Sequence, residues 1–148
     1  MRFLLLNGPN LDLLGEREPD IYGATSLPAI EAALTQAATA DGVELRCAQS
    51  NHEGVLIEHL HAARHDCDGV IINPAGYGHT SVALRDALLA TALPAVEVHL
   101  TNLARREPFR RHTLTADVVI GQICGFGSDS YHLALTALTR HVRAKRNR

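Results

Sequence analysis

Residues 69–100, GVIINPAGYGHTSVALRDALLATALPAVEVHL, alternate between short apolar runs and an amphipathic segment. The run Gly69–Ile72 is apolar and is stopped by an Asn-Pro pair, as expected of a buried strand. The segment opened by His79 or Thr80 carries apolar residues at helical spacing until a proline closes it. Ala95–Leu100 is a second apolar run. A strand, a helix and a strand in this order predict one unit of a parallel sheet.

The same alternation extends along the rest of the chain. Further strands are predicted at Arg2–Leu6, Val43–Cys47 and Val118–Ile120, and further helices after Ser26, at Glu53–His65 and from Ser128 onward. Repeats of this kind favour an α/β fold in which helices cover both faces of a parallel sheet. With five strands, we predict a flavodoxin-like doubly wound sheet that residues 1–148 form as a single domain, with ligands beyond the carboxyl ends of the strands.

Composition excludes several classes of function. The net charge of −2 gives no general reason to bind nucleic acid, and no apolar run reaches the roughly 18 residues of a membrane span. The three cysteines are too few and too far apart for a disulfide framework or a zinc site, so we expect free thiols in the cytoplasm. Of the 14 lysine and arginine residues only Lys145 is a lysine, which argues against Schiff-base chemistry in a pocket. We interpret the basic segment 140–148 as a solvated helix end; a partner-binding role is the alternative.

Polar residues fall where the strands should end. Asn10 follows the first strand and Asn73 ends the third. Glu97 and His99 are two residues apart on the fourth strand and therefore project from the same face. The carboxylate can orient the histidine for proton transfer, or the two can form a purely structural pair that satisfies a buried histidine.

Three loops carry further candidates. The polar loop 15–23 contains Arg17 and Tyr22 and is either a lid or solvated surface. Arg106 and Arg110 are four apart, so they could share a helix face and clamp an anion; a charged turn is the alternative.

The segment 73–81 leads from a strand into a helix N-terminus, which suits a carboxylate or a phosphate. His79 lies in this segment, and Asp86 follows seven residues later, which would place both on one helix face; an exposed helix carboxylate is the alternative reading of Asp86. Because the segment 73–81 suits a phosphate, the alternative function is a flavodoxin-like module that binds a nucleotide or a phosphate. His59, His61 and His65 are interpreted as exposed helix residues rather than metal ligands.

Taken together, these motifs resemble the type II 3-dehydroquinate dehydratases. The resemblance rests on LNGPNLDLLG, REP, IYG, SNHEG, NP, HTSVALRDA and EVHL, which occur in this order from residue 6 to residue 100, and on the segment from Gly125 to Leu135. It implies a flavodoxin-like subunit, a dodecamer built of trimers, and dehydration of 3-dehydroquinate to 3-dehydroshikimate in the shikimate pathway or in quinate catabolism. It implies no metal and no cofactor.

The resemblance also implies roles for individual residues. Tyr22 would be the base that removes a proton beside the ketone, with Arg17 stabilising its phenolate. His99 would protonate the leaving hydroxyl with support from Glu97, and Asn10 would hold a water that stabilises the enolate. The residues expected to bind substrate are Asn73, His79, Arg110, Arg106 near the lid, the backbone of Leu100 and Thr101, and Asp86, which would reach a neighbouring subunit's site.

One stretch departs from the family pattern. Gly-Ala-Tyr-Thr-His commonly follows Asn-Pro in the family, whereas residues 75–79 read AGYGH here.

The proposed base needs its ionised form to be stabilised. An ordinary tyrosine has a pKa of about 10, one arginine at about 4 Å favours ionisation by about 4 kcal/mol, and burial opposes it. A second cation, Arg106 or Arg110, is therefore expected to help.

Overall fold

The fold is a parallel five-stranded sheet covered on both faces by helices, as the alternation of the sequence predicts. The computed structural model describes all residues, 1–148. The strands are β1 (Arg2–Asn7), β2 (Glu44–Gln49), β3 (Gly69–Asn73), β4 (Ala95–His99) and β5 (Gly121–Cys124). The helices are α1 (Pro19–Tyr22), α2 (Leu27–Ala40), α3 (Glu53–Asp66), α4 (Val82–Thr91) and α5 (Asp129–Arg146). The strand order is β2-β1-β3-β4-β5, so the prediction of a flavodoxin-like doubly wound sheet is confirmed.

Alternation along β1 builds the two layers of the core. Phe3 and Leu5 pack on one face with α2 and α5, and Leu4 and Leu6 pack on the other face with α3 and α4. All four side chains are fully buried. Because successive side chains of a strand point to opposite faces, a strand buried on both sides reads as a continuous apolar run.

The fifth strand was predicted wrongly. The apolar run Val118–Ile120 lies in a turn, and β5 begins one residue later at Gly121. Val118 and Val119 are partly buried against the layer containing α3 and α4. Edge strands have only one sheet neighbour, and β5 (GQIC) has only Ile123 and Cys124 as apolar residues, so it carries little of the apolar signal that marks the central strands.

The start of α4 also differs from the prediction. Ser81 is its N-cap, and the Ser81 hydroxyl accepts a hydrogen bond from Leu84 N at 2.8 Å. His79 ends a separate 3₁₀ turn, residues 75–79, and therefore does not share a helix face with Asp86. The expected helix under Arg106 and Arg110 is likewise absent, since two 3₁₀ turns, 103–105 and 108–110, replace it.

The order of the strands reverses between β1 and β3, and the loops that leave these strands nearly touch. Gly8 N donates to Asn73 O at 2.8 Å. A Cβ atom at Gly8 would lie 2.5 Å from the carbonyl oxygen of Pro74, so only glycine fits here. Ligands of open parallel sheets bind at such reversals, outside the carboxyl ends of the strands.

The C-terminal helix closes the opposite edge of the sheet. Arg143 donates to the carbonyl oxygen of Asp41 at 2.6 Å, and Arg146 pairs with Asp68 at 2.6 Å. Two cations of the basic segment 140–148 thus bind acceptors of this chain. None of the helices combines the length and the apolarity that crossing a membrane would require.

Candidate active site

A cavity lies beyond the carboxyl edge of the sheet, at the reversal between β1 and β3. Ten of the twelve predicted site residues line it. They are Asn10, Arg17, Tyr22, Asn73, His79, His99, Leu100, Thr101, Arg106 and Arg110. The exceptions are Glu97, which is buried behind His99, and Asp86, which is exposed on α4.

Asn73 is fixed in one orientation by a buried network. Its Nδ2 donates to the hydroxyl of Tyr131 at 3.0 Å, and its Oδ1 accepts from Ala75 N at 3.1 Å. The Tyr131 hydroxyl in turn donates to Asn7 Oδ1 at 2.7 Å. Because one amide hydrogen and the oxygen of Asn73 are engaged, its second amide hydrogen is the group available to a ligand.

Glu97 and His99 form a close pair, as their spacing predicts. Oε1 of Glu97 lies 2.6 Å from Nε2 of His99, and both side chains are buried. Burial alone would raise the pKa of Glu97. Hydrogen bonds from His99, Thr115 and Gln122, together with the charge of His99, outweigh burial and hold this pKa below its ordinary value. An ionised carboxylate only accepts, so Nε2 carries a hydrogen and Nδ1 is the nitrogen left for a ligand.

Tyr22 ends the short helix α1 and lies between two arginines. Nη2 of Arg106 donates to the Tyr22 hydroxyl at 3.0 Å. The guanidinium carbons of Arg17 and Arg106 are each 5.2 Å from the centre of the Tyr22 ring. The second cation that the charge argument requires is therefore Arg106. The predicted loop 15–23 contains a helical turn at Pro19–Tyr22, flanked by left-handed backbone at Glu18 (φ 41°).

The remaining arginine of the cavity has an acidic neighbour. Nε of Arg110 lies 3.0 Å from Oε2 of Glu107, and Nε of Arg106 lies 3.5 Å from the same oxygen. Nη1 of Arg106 also donates to the Thr101 hydroxyl at 3.0 Å. Arg106 is thus held by three neighbours, Tyr22, Thr101 and Glu107, and is almost buried. The carbonyl of Leu100, another lining residue, accepts from Gly127 N at 2.9 Å.

Two loop residues are held by partners outside the cavity. Asn10 has left-handed backbone (φ 67°), and its N–H donates to Asn51 Oδ1 at 2.9 Å. His79 Nδ1 lies 2.9 Å from the carbonyl oxygen of His112. A carbonyl only accepts, so Nδ1 carries the hydrogen and Nε2 is free to face a ligand. The altered sequence of residues 75–79 therefore still gives His79 a fixed partner.

Sequence reasoning missed the apolar lining and the second layer of hydrogen bonds. The cavity also contacts Pro9, Leu11, Leu14, Ala75, Gly76 and Leu103. Thr115 and Gln122 bind Glu97 from outside the cavity. Only a correct placement of β5 could have revealed Gln122, since it is the register partner of Glu97; no pattern in the sequence marks Thr115.

The cavity combines the groups that an elimination of water requires. A hydroxyl flanked by cations can act as a base, and a histidine paired with a carboxylate can act as an acid. Three arginines suit an anionic ligand. No group of three or more His, Cys, Asp or Glu side chains is arranged to hold a metal ion.

Comparison with known proteins identifies the family. The sequence model described as "Dehydroquinase class II" matches residues 1–139. A protein of Synechococcus sp. (strain CC9605) named 3-dehydroquinate dehydratase is 55% identical over 143 residues, 97% of this chain and 98% of that protein. The crystal structure of a type II dehydroquinase from Butyrivibrio crossotus superposes with a TM-score of 0.92 at 39% identity, covering 93% of this chain and 97% of that one. A type II dehydroquinase from Propionibacterium acnes gives a TM-score of 0.91 at 40% identity, covering 94% and 96%. The chain therefore belongs to the class II dehydroquinase family.

Proposed function

We propose that this chain dehydrates 3-dehydroquinate to 3-dehydroshikimate, through an enolate, with Tyr22 as the base and His99 as the acid. The observation that carries the proposal is the Tyr22 hydroxyl, which lies 3.0 Å from Arg106 in the cavity that also contains His99. The names of the relatives support the same reaction, and they favour it over a nucleotide-binding module.

The first step is removal of the proton beside the ketone. Tyr22 accepts this proton as a phenolate, and the two guanidinium groups stabilise the negative charge on its oxygen. Arg106 does so through a hydrogen bond and Arg17 through its charge above the ring. Because arginine stays protonated throughout the ordinary pH range, the base keeps both cations while it works.

The second requirement is a donor for the enolate oxygen. Asn10 is proposed to hold a water there, and its backbone is fixed by Asn51. An ordered donor aimed at developing charge lowers the barrier because it needs no reorganisation during the reaction.

The last step is departure of the hydroxyl group. His99 donates its Nδ1 proton to the leaving oxygen, the carbon–oxygen bond breaks, and water is released as the enolate electrons form the new double bond. Glu97 stabilises the imidazolium before transfer and keeps the ring in place afterwards.

The remaining lining residues are proposed to bind the substrate. Asn73 presents an amide hydrogen and His79 presents Nε2, which suit the substrate's hydroxyls. Arg110 suits its carboxylate, and the backbone of Leu100 and Thr101 borders the same space. Arg106 donates to the Tyr22 hydroxyl and also lines the cavity.

We infer further that the whole chain acts as one catalytic domain, in a dodecamer of trimers, in the cytoplasm. The three free cysteines support a reducing compartment. In such an assembly Asp86, exposed on α4, would reach the site of a neighbouring subunit. Light scattering coupled to size-exclusion chromatography tests the assembly; an active monomer would remove the proposed role of Asp86.

An ultraviolet assay tests the reaction, because the product contains a conjugated enone and the substrate does not. We expect purified protein to convert 3-dehydroquinate, with or without a chelator and with or without borohydride, since Lys145 lies at the far end of α5. Loss of activity in chelator or inactivation by borohydride would contradict the mechanism. Absence of turnover by the folded protein would contradict the function itself.

A further inference from the structure

The buried carboxylate of Glu97 is surrounded by donors, none of which is an arginine or a lysine. Its exposed fraction is 0%. Oε1 accepts from His99 Nε2 at 2.6 Å and from Gln122 Nε2 at 3.0 Å, and Oε2 accepts from the Thr115 hydroxyl at 2.6 Å. A carboxylate removed from water requires compensation for its charge. Here a single titratable partner and two neutral side chains provide it.

The neutral donors come from two different segments, and Gln122 has a second hydrogen-bond partner of its own. Thr115 lies in the loop before β5 and is fully buried. Gln122 lies on β5, directly opposite Glu97 in the register. The Gln122 amide nitrogen also donates to the Thr113 hydroxyl at 2.8 Å, so both of its hydrogens have acceptors.

This arrangement matters most after proton transfer. While His99 is protonated, its charge compensates Glu97. Glu97 could take the Nε2 proton only while His99 is an imidazolium, because the same transfer from the neutral ring would leave an imidazolate anion. Once His99 has given up its Nδ1 proton, the carboxylate loses the compensating charge. The hydrogen bonds from Thr115 and Gln122 persist in both states and stabilise the anion.

We propose that Thr115 and Gln122 are positioning residues of the general acid, which keep Glu97 ionised in both charge states of His99 and so direct proton exchange to Nδ1. The inference rests on the proposed role of His99 as the acid. It assigns no contact with substrate to either residue, and neither lines the cavity.

The titratable groups around the pair are few. His99 lies on the same strand, Cys124 lies on β5, and the His79 ring lies 6.3 Å from the His99 ring. Burial first, and then the charge of Glu97, raise the pKa of the Cys124 thiol to about 11, so it stays neutral below alkaline pH. The other titratable groups that a change in pH dependence can report on are Glu97, His99 and His79 at the pair, and Tyr22, which lines the same cavity.

The test compares Thr115→Val and Gln122→Leu with Thr139→Val in the full chain. Thr139 is a buried threonine of α5 whose hydroxyl has no hydrogen-bond partner, so its variant removes the same atom without touching the pair. We expect Thr115→Val to lower kcat about tenfold with little change in KM, because a carboxylate with fewer donors holds the shared proton more tightly. The alkaline limb of the pH–rate profile, where the general acid loses its proton, should move to higher pH. Thr115→Ser, which restores a hydroxyl, should return both values toward wild type, and Thr139→Val should change neither.

A readout without substrate separates this inference from the proposed function. Ring-nitrogen NMR of protein labelled with ¹⁵N-histidine, with His99 assigned through a His99→Asn variant, follows proton uptake by the pair. We expect uptake at higher pH in Thr115→Val and Gln122→Leu, and unchanged uptake in Thr139→Val. Identical profiles in all three would overturn the inference even if the enzyme is active. If the NMR shift occurred in a protein that failed to convert 3-dehydroquinate, the proposed function and the role of His99 as its acid would fall, while the stabilisation of ionised Glu97 by the two donors would stand. Gln122 is exposed on an edge strand, so its variant tests the inference if Thr115→Val does not fold.

Discussion

The side chain of Arg106 contacts three other residues, which its position in the sequence does not indicate. One Nη donates to the Tyr22 hydroxyl, the other donates to Thr101, and Glu107 lies beside Nε. Only 14% of the Arg106 side chain is exposed, against 38% for Arg17. Because screening by water weakens exposed charges, the better-buried arginine should act more strongly on Tyr22.

Replacement of this arginine gives the first expected outcome. We expect Arg106→Gln to lower kcat/KM about 100-fold at neutral pH, since the phenolate loses a charge-assisted hydrogen bond. Alkaline pH should recover part of the loss because it favours the phenolate directly. Arg105→Gln is the matched control: its side chain is exposed and has no hydrogen bond or ion pair. Equal losses in the two variants would show that only general surface charge matters.

A second residue-scale expectation concerns backbone conformation. Ala75 and Ala92 both have left-handed backbone, with φ of 51° and 56°. Glycine adopts this region without strain, so we expect Ala75→Gly and Ala92→Gly each to raise the free energy of unfolding by about 0.5–1 kcal/mol. Ala83→Gly, inside α4, should lower it by about 1 kcal/mol. Urea denaturation measures all three, and destabilisation by Ala75→Gly would mean that its packing outweighs the backbone strain.

At the scale of elements, Tyr131 joins α5 to the ends of β1 and β3. Its ring is fully buried, and burial raises the pKa of its hydroxyl well above the ordinary range, so it remains a neutral donor. Its two partners, Asn7 and Asn73, come from the strands between which the order reverses. Through this hydroxyl, α5 positions the cavity residue Asn73, which lies on a different element.

Removal of this hydroxyl should affect both stability and binding. We expect Tyr131→Phe to reduce the free energy of unfolding by about 1–3 kcal/mol, because two buried amides lose a partner. The KM for 3-dehydroquinate should rise because the Asn73 amide keeps only one of the two hydrogen bonds that fix it, the one from Ala75 N. Tyr77→Phe removes an exposed hydrogen bond to the Asn51 carbonyl and should cost less than 1 kcal/mol. Comparable losses in the two variants would contradict a special role for Tyr131.

The elements show what the sequence could and could not predict. Apolar runs predicted β1, β3 and β4 to within a residue, because strands buried on both faces must be apolar throughout. The same rule misplaced β5, where Gln122 faces Glu97 instead of the core. The two-residue spacing predicted that Glu97 and His99 lie side by side, since both are on one strand. It could not show which arginine reaches Tyr22, because that contact joins residues 84 positions apart.

For the molecule as a whole, acid stability should report on the site. The pKa of Glu97 is lowered on folding, so its contribution is complete above its ordinary value of 4.5 and is lost as pH falls through the lower value of the folded protein. We expect the melting temperature of the wild type to fall more steeply from about pH 5 to pH 3 than that of Glu97→Gln, which cannot titrate. Exposed pairs such as Arg146 with Asp68 occur in both proteins and cancel in the difference. Parallel curves would show that folding does not lower the pKa of Glu97.

The closure of the far edge by α5 has a practical consequence. Lys145 is exposed in the last turn of this helix, beside the Arg146–Asp68 pair that precedes β3. Lys145 is the only lysine of the sequence, and it lies at the amino edge of the sheet, across the molecule from the cavity. Coupling of the Lys145 amine to a solid support or a dye would attach the protein at the amino edge of the sheet and leave the cavity facing the solution.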